Sequence, residues 1–258
     1  MAAAALALSV ALTTGMPAAA YQAGLCAVPT KQVGFLDCST GDESSNISVA
    51  LIGDSHTRSW FGPARALAAK YDWKLTTVSK SACPPLDPAM MPTVLTSKTC
   101  LPWNQKLQSY LKGNPGFDLV INASSSFVTK GYQSYAKSFA SVAKLMTANG
   151  AVLLVIRDNP KPKPSFLACI ANNPKAIDAA CSVTRAKALT PNDPMPAAVK
   201  GMANVKTVDF TDAYCNAQTC SPKIDGIVVY RDHSHISAEW AMHLTGLLEQ
   251  AIPARFKQ

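Results

Sequence analysis

Apolar residues run along this chain in two rhythms. Short, largely apolar runs, Ile47–Ile52, Trp73–Val78, Phe117–Asn122, Ala151–Ile156 and Val205–Phe210, with a shorter Ile227–Tyr230, read as strands. Between them apolar positions recur every three or four residues, a helical period. The first such segment is Trp60, Phe61, Ala64, Leu67, Ala68 and Tyr71, and the second is Trp103, Leu107 and Leu111. The third is Tyr135, Phe139, Val142, Leu145 and Met146, and the last is Trp240, Leu244, Leu247, Leu248 and Ile252. Pro63 implies a kink or a restart, Asn149-Gly150 stops the third helix, and Ser237 is placed to cap the last. The alternation predicts a single α/β domain of three layers, a parallel central sheet flanked by helices. Two stretches, Lys80–Leu101 and Asn159–Pro191, show neither rhythm and read as long irregular insertions.

Composition supports a folded chain of this size. Of 258 residues, 48% are hydrophobic and only 16% charged, which excludes a disordered polyelectrolyte. The formal charge of +8 favours anionic surroundings. The basic residues are scattered rather than interleaved with aromatics, which argues against nucleic acid and suits an envelope polymer or a membrane surface equally.

Residues 1–20 are uncharged and Ala-rich and end in Ala18-Ala19-Ala20 before Tyr21. They read as the apolar region of a signal peptide without its positive start, or as the tail of a membrane helix. Either reading puts residues 21–258, the domain, outside the cytoplasm, whereas a cytosolic Ala-rich helix, the lesser alternative, does not. The eight cysteines agree, since they fall as neighbours: Cys26/Cys38, Cys83/Cys100, Cys169/Cys181 and Cys215/Cys220. Neighbour pairing gives four small cross-linked loops, two of them tying down the insertions, as expected of an oxidising compartment. No Cys-x-x-Cys occurs, which argues against zinc ribbons and thioredoxin-like chemistry.

The first core strand runs directly into Gly53-Asp54-Ser55-His56. Ligands of open α/β sheets collect beyond the carboxyl ends of strands, so Ser55 stands where a nucleophile would be useful. Asp and Ser are also preferred helix caps, and this stretch alone reads as readily as a cap. A serine nucleophile needs a base, and the chain has four histidines, three of them near the C-terminus. In Tyr230-Arg-Asp-His-Ser-His-Ile-Ser237, Asp232 and His235 are three apart in a turn. That spacing lets the carboxylate orient the imidazole and leaves the other ring nitrogen for Ser55.

These blocks resemble the SGNH (GDSL-like) esterase and acyltransferase superfamily. Further blocks fall in one order with them: Gly-Asp-Ser-His-x-x-x-Trp60, Lys80-Ser-Ala-Cys-Pro84, Cys100-x-x-Trp-Asn104, Asp209-Phe-Thr-Asp212 followed by Cys215 and Cys220, and Tyr230-x-Asp-x-x-His-Ile-Ser237. Together they resemble the SGNH domain attached to the membrane O-acyltransferases of acyltransferase family 3. The resemblance implies an SGNH/flavodoxin-like fold with Ser55 as nucleophile, His235 as general base and acid, and Asp232 orienting His235. It implies an oxyanion hole built on the Ser55 backbone N–H, with Asn122 in the place of the family's asparagine. The chain departs from the family pattern after the second core strand, where Ser79-Lys80-Ser81 replaces the expected glycine. The implied activity is O-acyl transfer, from an acyl donor served by a membrane acyltransferase domain, to an envelope glycan or glycolipid. An esterase using the same triad is the second reading, and an inactive glycan-binding module is the third. No cofactor is implied.

Other polar residues have plainer readings. His233-Ser-His235 has no third ligand at a helpful spacing for a metal. His56 reads as a neighbour of the helix cap ahead of a supporting partner of the site, Asp54 as a brace for the Ser55 loop ahead of a replacement for Asp232 beside the histidine, and Asp209 and Asp212 as turn formers. Arg58 reads as a solvated first-turn residue and His243 as structural.

Overall fold

The structure is a computed structural model that describes residues 27–95, 97–113, 115–126, 132–189 and 192–258. The Ala-rich segment 1–20 and Cys26 lie outside the described residues. The chain enters through two short strands, β1 (Ala27–Val28) and β2 (Cys38–Gly41), before the core strand β3 (Ser48–Gly53). The remaining strands of the sheet are β4 (Lys74–Lys80), β5 (Leu119–Asn122), β6 (Val152–Ile156) and β7 (Val205–Val208). Five of them run parallel in the order β4-β3-β5-β6-β7. The outer edge of β4 is shared, with β2 pairing antiparallel along its first half and β1 parallel at its end. Edge backbone that would otherwise template aggregation is thereby covered.

The strand pattern explains the layers. Val49 and Leu51 face one cluster of buried side chains, and Ala50 and Ile52 face another, as the two-residue period of a strand requires. On the first face lie α1 (Ser55–Ser59) and α2 (Phe61–Lys70), and on the second α3 (Cys100–Lys112) and α4 (Tyr132–Met146). The C-terminal helices α5 (Ala238–His243) and α6 (Thr245–Ala251) return to the first face through Trp240, Leu244 and Leu248.

Several expectations need adjustment. The restart in the first helical segment falls at Trp60, so Pro63 lies in the first turn of α2, where its missing N–H breaks no helical bond. The last helical segment is likewise two helices that meet at Leu244. Ile227–Tyr230 is not a strand of the central sheet; only Ile227–Val228 is extended, in a hairpin with Lys223–Ile224. The insertion Asn159–Pro191 is not irregular, since it contains helices at Phe166–Asn172, Ile177–Cys181 and Arg185–Ala188. These helices are too short for a periodic pattern to register.

Disulfides join Cys83 to Cys100, Cys169 to Cys181 and Cys215 to Cys220. Cys38 is also disulfide-bonded; the expected partner, Cys26, is outside the described residues. The Lys80–Leu101 insertion is anchored further by Lys80 itself. Its fully buried side chain extends back to donate to the carbonyls of Pro29 (2.7 Å) and Gln32 (2.8 Å), so β4 holds the entering chain.

Candidate active site

The site forms where β3, β5 and β6 end together. Gly53 closes β3, and a Cβ there would collide with the Thr57 and Ser124 side chains, so the sharp turn into α1 needs glycine. Asp54 caps α1: one carboxylate oxygen accepts the His56 N–H (2.8 Å) and the other the Ser125 N–H (2.9 Å). The expected brace is therefore present, binding the Ser55 turn to the segment after β5. Burial holds the Asp54 carboxyl above the usual range, against the opposing pull of His56 and those hydrogen bonds.

Ser55 is the first residue of α1, and its Oγ lies 2.7 Å from His235 Nε2. His235 Nδ1 faces Asp232 at 2.9 Å and 2.8 Å from the two carboxylate oxygens. Asp232 is fixed in turn by the N–H groups of Ser234 (2.9 Å) and His235 (2.8 Å). Desolvation would raise the Asp232 carboxyl, but these N–H donors and the imidazole outweigh it and hold it well below the usual carboxylate range. The loop is closed by the Tyr230–Ile236 bridge and by Ser237, whose Oγ accepts the Trp240 N–H at 3.1 Å and starts α5. A turn held by its own backbone thus presents the imidazole to the serine, 180 residues away in sequence.

Burial and the nearby positive charge of His56 lower the pKa of His235, against the pull of Asp232. The imidazole is therefore neutral at pH 7. With Asp232 accepting from Nδ1–H, Nε2 carries the lone pair and can take the Ser55 proton.

Asn122 does not present a donor to this site. It is fully buried at the end of β5, and its Nδ2 donates to the Ile52 carbonyl (2.8 Å) and to Ser124 Oγ (3.0 Å). Both N–H bonds are used in joining β3 to the segment after β5. Across the turn, β4 ends at Lys80 and is followed by Ser81-Ala82, where the Cys83 N–H donates to the Lys80 carbonyl (3.2 Å) and Ala82 takes φ 59°. The family's glycine is missing, but the left-handed backbone that glycine adopts readily is present at Ala82.

Among the remaining polar residues, Asp209 accepts from the Thr211 N–H (2.8 Å) and pairs with Arg157, and Asp212 pairs with Arg185. His233 is exposed, and His243 is half-exposed and stacked on Trp240 at 4.9 Å. Among the described residues no group of three or more His, Cys, Asp or Glu is arranged to hold a metal.

The unexpected residue is His56. It is 5% exposed, and its Nδ1 is 2.6 Å from Asp158 Oδ1 at the end of β6. Asp158 was not singled out by sequence, because its partner lies 102 residues away and only the common sheet edge brings them together.

A sequence model for the family described as "SGNH domain (fused to AT3 domains)" matches residues 25–250. The chain belongs to this SGNH family. A similar solved structure is the periplasmic domain of a Salmonella ser. Paratyphi A lipopolysaccharide acetyltransferase, with a TM-score of 0.60 and 14% identity over 81% of this chain and 84% of that one. At that identity the likeness establishes a shared SGNH fold. No curated protein sequence matches the chain. Among the described residues no helix is long and apolar enough to cross a membrane.

Proposed function

We propose that this SGNH domain is an extracytoplasmic serine-dependent O-acyltransferase that works through an acyl-Ser55 intermediate. The observation that carries the reading is the Ser55–His235–Asp232 relay at the carboxyl edge of the sheet, at 2.7 Å and 2.8 Å. Family membership supports it, since the family's SGNH domain is described as fused to AT3 domains. The similar fold of a periplasmic lipopolysaccharide acetyltransferase domain and the disulfides support a location outside the cytoplasm.

In the first half-reaction Ser55 Oγ attacks the carbonyl of an acyl donor while its proton passes to His235 Nε2. Asp232 stabilises the imidazolium. The oxyanion is met by the Ser55 N–H. We assign its second donor to the turn that follows β4, whose residue Ser79 is the register partner of Gly53. Each such donor contributes about 3 kcal/mol in comparable sites. Collapse expels the leaving group, which takes the proton from His235 and leaves acyl-Ser55. In the second half-reaction His235 deprotonates an acceptor hydroxyl, which takes the acyl group and regenerates Ser55. The acceptor is a sugar hydroxyl of an envelope glycan or glycolipid, and the donor is supplied by a membrane acyltransferase domain.

Transferase and esterase share every step up to acyl-Ser55, so the acceptor decides between them. Mass spectrometry of envelope glycans incubated with the domain and an acetyl donor should find new O-acetyl groups on sugar hydroxyls. Free acetate as the sole product across such a panel would make the domain an esterase.

A further inference from the structure

Behind the base lies a second imidazole and carboxylate that the transfer reaction does not use. His56 and His235 pack ring against ring, centroids 4.7 Å apart and planes inclined at 51°. Asp158, which holds His56 Nδ1 at 2.6 Å through Oδ1, also accepts the Asn159 N–H (2.9 Å) there. Its other oxygen accepts the Ser126 N–H (2.8 Å) and Ser126 Oγ (2.9 Å). A buried carboxylate with so many donors is ionised, and a buried ionised carboxylate requires a cation. The cation in contact is His56. Its Nε2 has no hydrogen-bond partner among the described residues.

The same segment grips the loop that carries the base. Asn159 Nδ2 donates to the Ser234 carbonyl at 2.9 Å, and the Asp158 N–H donates to Asp193 at 2.8 Å. The end of β6 therefore fixes both the imidazolium and the imidazole it touches.

We propose that His56 and Asp158 form a second functional pair, a buried imidazolium–carboxylate couple that governs the protonation of His235. This rests on His235 being the base of the reaction proposed above. With His56 charged, a second proton on His235 is disfavoured by a like charge in ring contact, so the base stays ready for the Ser55 proton. Once His235 has taken that proton, the same repulsion makes it a stronger acid toward the leaving group. His56 acts through His235 and is a positioning residue.

The charges facing the couple favour this arrangement. Asp54 on its own turn, Asp158 at the end of β6 and Asp232 on the base's loop all favour a charged His56, while burial opposes it. Together they hold His56 protonated up to about 9. Arg231 acts with His56 on His235. Asp193 and Lys161 lie farther back: burial and Asp158 push the Asp193 carboxyl up to about 7, and burial lowers Lys161.

The test is a titration of the four histidine rings by ¹⁵N–¹H NMR in the parent, His56→Gln and Asp158→Asn, with kcat/KM on an acyl ester measured against pH. In the parent, His56 should stay protonated to about pH 9 and His235 should titrate below the ordinary value of 6.5. In both variants His235 and the acid limb of kcat/KM should move up together by about one unit or more. His56 titrating at or below the ordinary histidine value in the parent would overturn the proposal, and that measurement needs no variant to fold. An unmoved His235 in a folded His56→Gln would overturn it as well. Full turnover in Ser55→Ala would instead sink the triad reading, while the ring titrations could still be read.

Discussion

Replacing Asp232 with asparagine tests the relay at its least ambiguous atom. The carbonyl oxygen of the introduced amide can keep the Ser234 and His235 N–H groups, which Asp232 now accepts through a single oxygen, Oδ1. The new amide nitrogen then faces His235 Nδ1, which stands 2.8 Å from Asp232 Oδ2. An amide N–H in the place of Oδ2 donates to Nδ1, which favours the tautomer with the ring proton on Nε2 over one in which Nδ1–H donates to the retained carbonyl at 2.9 Å. Nε2–H points at Ser55 Oγ, 2.7 Å away, and cannot take its proton. The geometry survives while the tautomer is wrong, and the analogous exchange in serine proteases lowers kcat by about 10⁴. Here Asp232 is more exposed than a fully enclosed triad carboxylate, with 39% of its side chain accessible, so a loss of about 10³ to 10⁴ is expected. The assay is release of p-nitrophenol from p-nitrophenyl acetate, with circular dichroism and a thermal melt confirming an unchanged fold. Turnover within about tenfold of the parent, in a folded variant, would refute the assignment of Asp232.

Two further outcomes follow from buried groups outside the relay. His56 has its folded pKa raised from 6.5 to about 9, so its contribution is complete below pH 6.5 and lost as pH rises through about 9. That loss amounts to about 3 kcal/mol, and thermal melts from pH 6.5 to 9.5 should fall for the parent and flatten in that window for His56→Gln; a pH-independent parent would contradict it. Lys80→Met leaves the Pro29 and Gln32 carbonyls without their buried donor, which should cost about 1 to 3 kcal/mol in denaturant melts and speed proteolysis of the entering segment; unchanged stability would contradict that.

The parts of this structure legible in sequence are those with local signals. Leu51 and Ile52 belong to a run apolar on both faces, as a sandwiched parallel strand requires, and β5 and β6 follow from such runs as well. Asp232 and His235 were legible because their contact closes within one turn. The edge strand β2 was not, because Cys38-Ser-Thr-Gly41 is mostly exposed and gains its extended form from pairing with β4. Asn122 stood in the right place for a donor, but sequence carries no sign of the direction in which a strand-end amide points, and here it points at Ile52. His56 read as a cap neighbour because its own stretch explained it. Its partner Asp158 becomes visible only when β3 and β6 end at the same edge of the sheet.

The decisive measurement is the site of acylation. The protein would be mixed with an activated acetyl ester, quenched in acid within the first turnover and digested for peptide mass spectrometry. One acetyl group should appear on Ser55, in the peptide following β3, and should be absent from Ser55→Ala, which should also lose turnover by about 10³ or more. Turnover of the ester by the parent with no acetyl on Ser55, or with Ser55→Ala turning over normally, would contradict the acyl-serine mechanism.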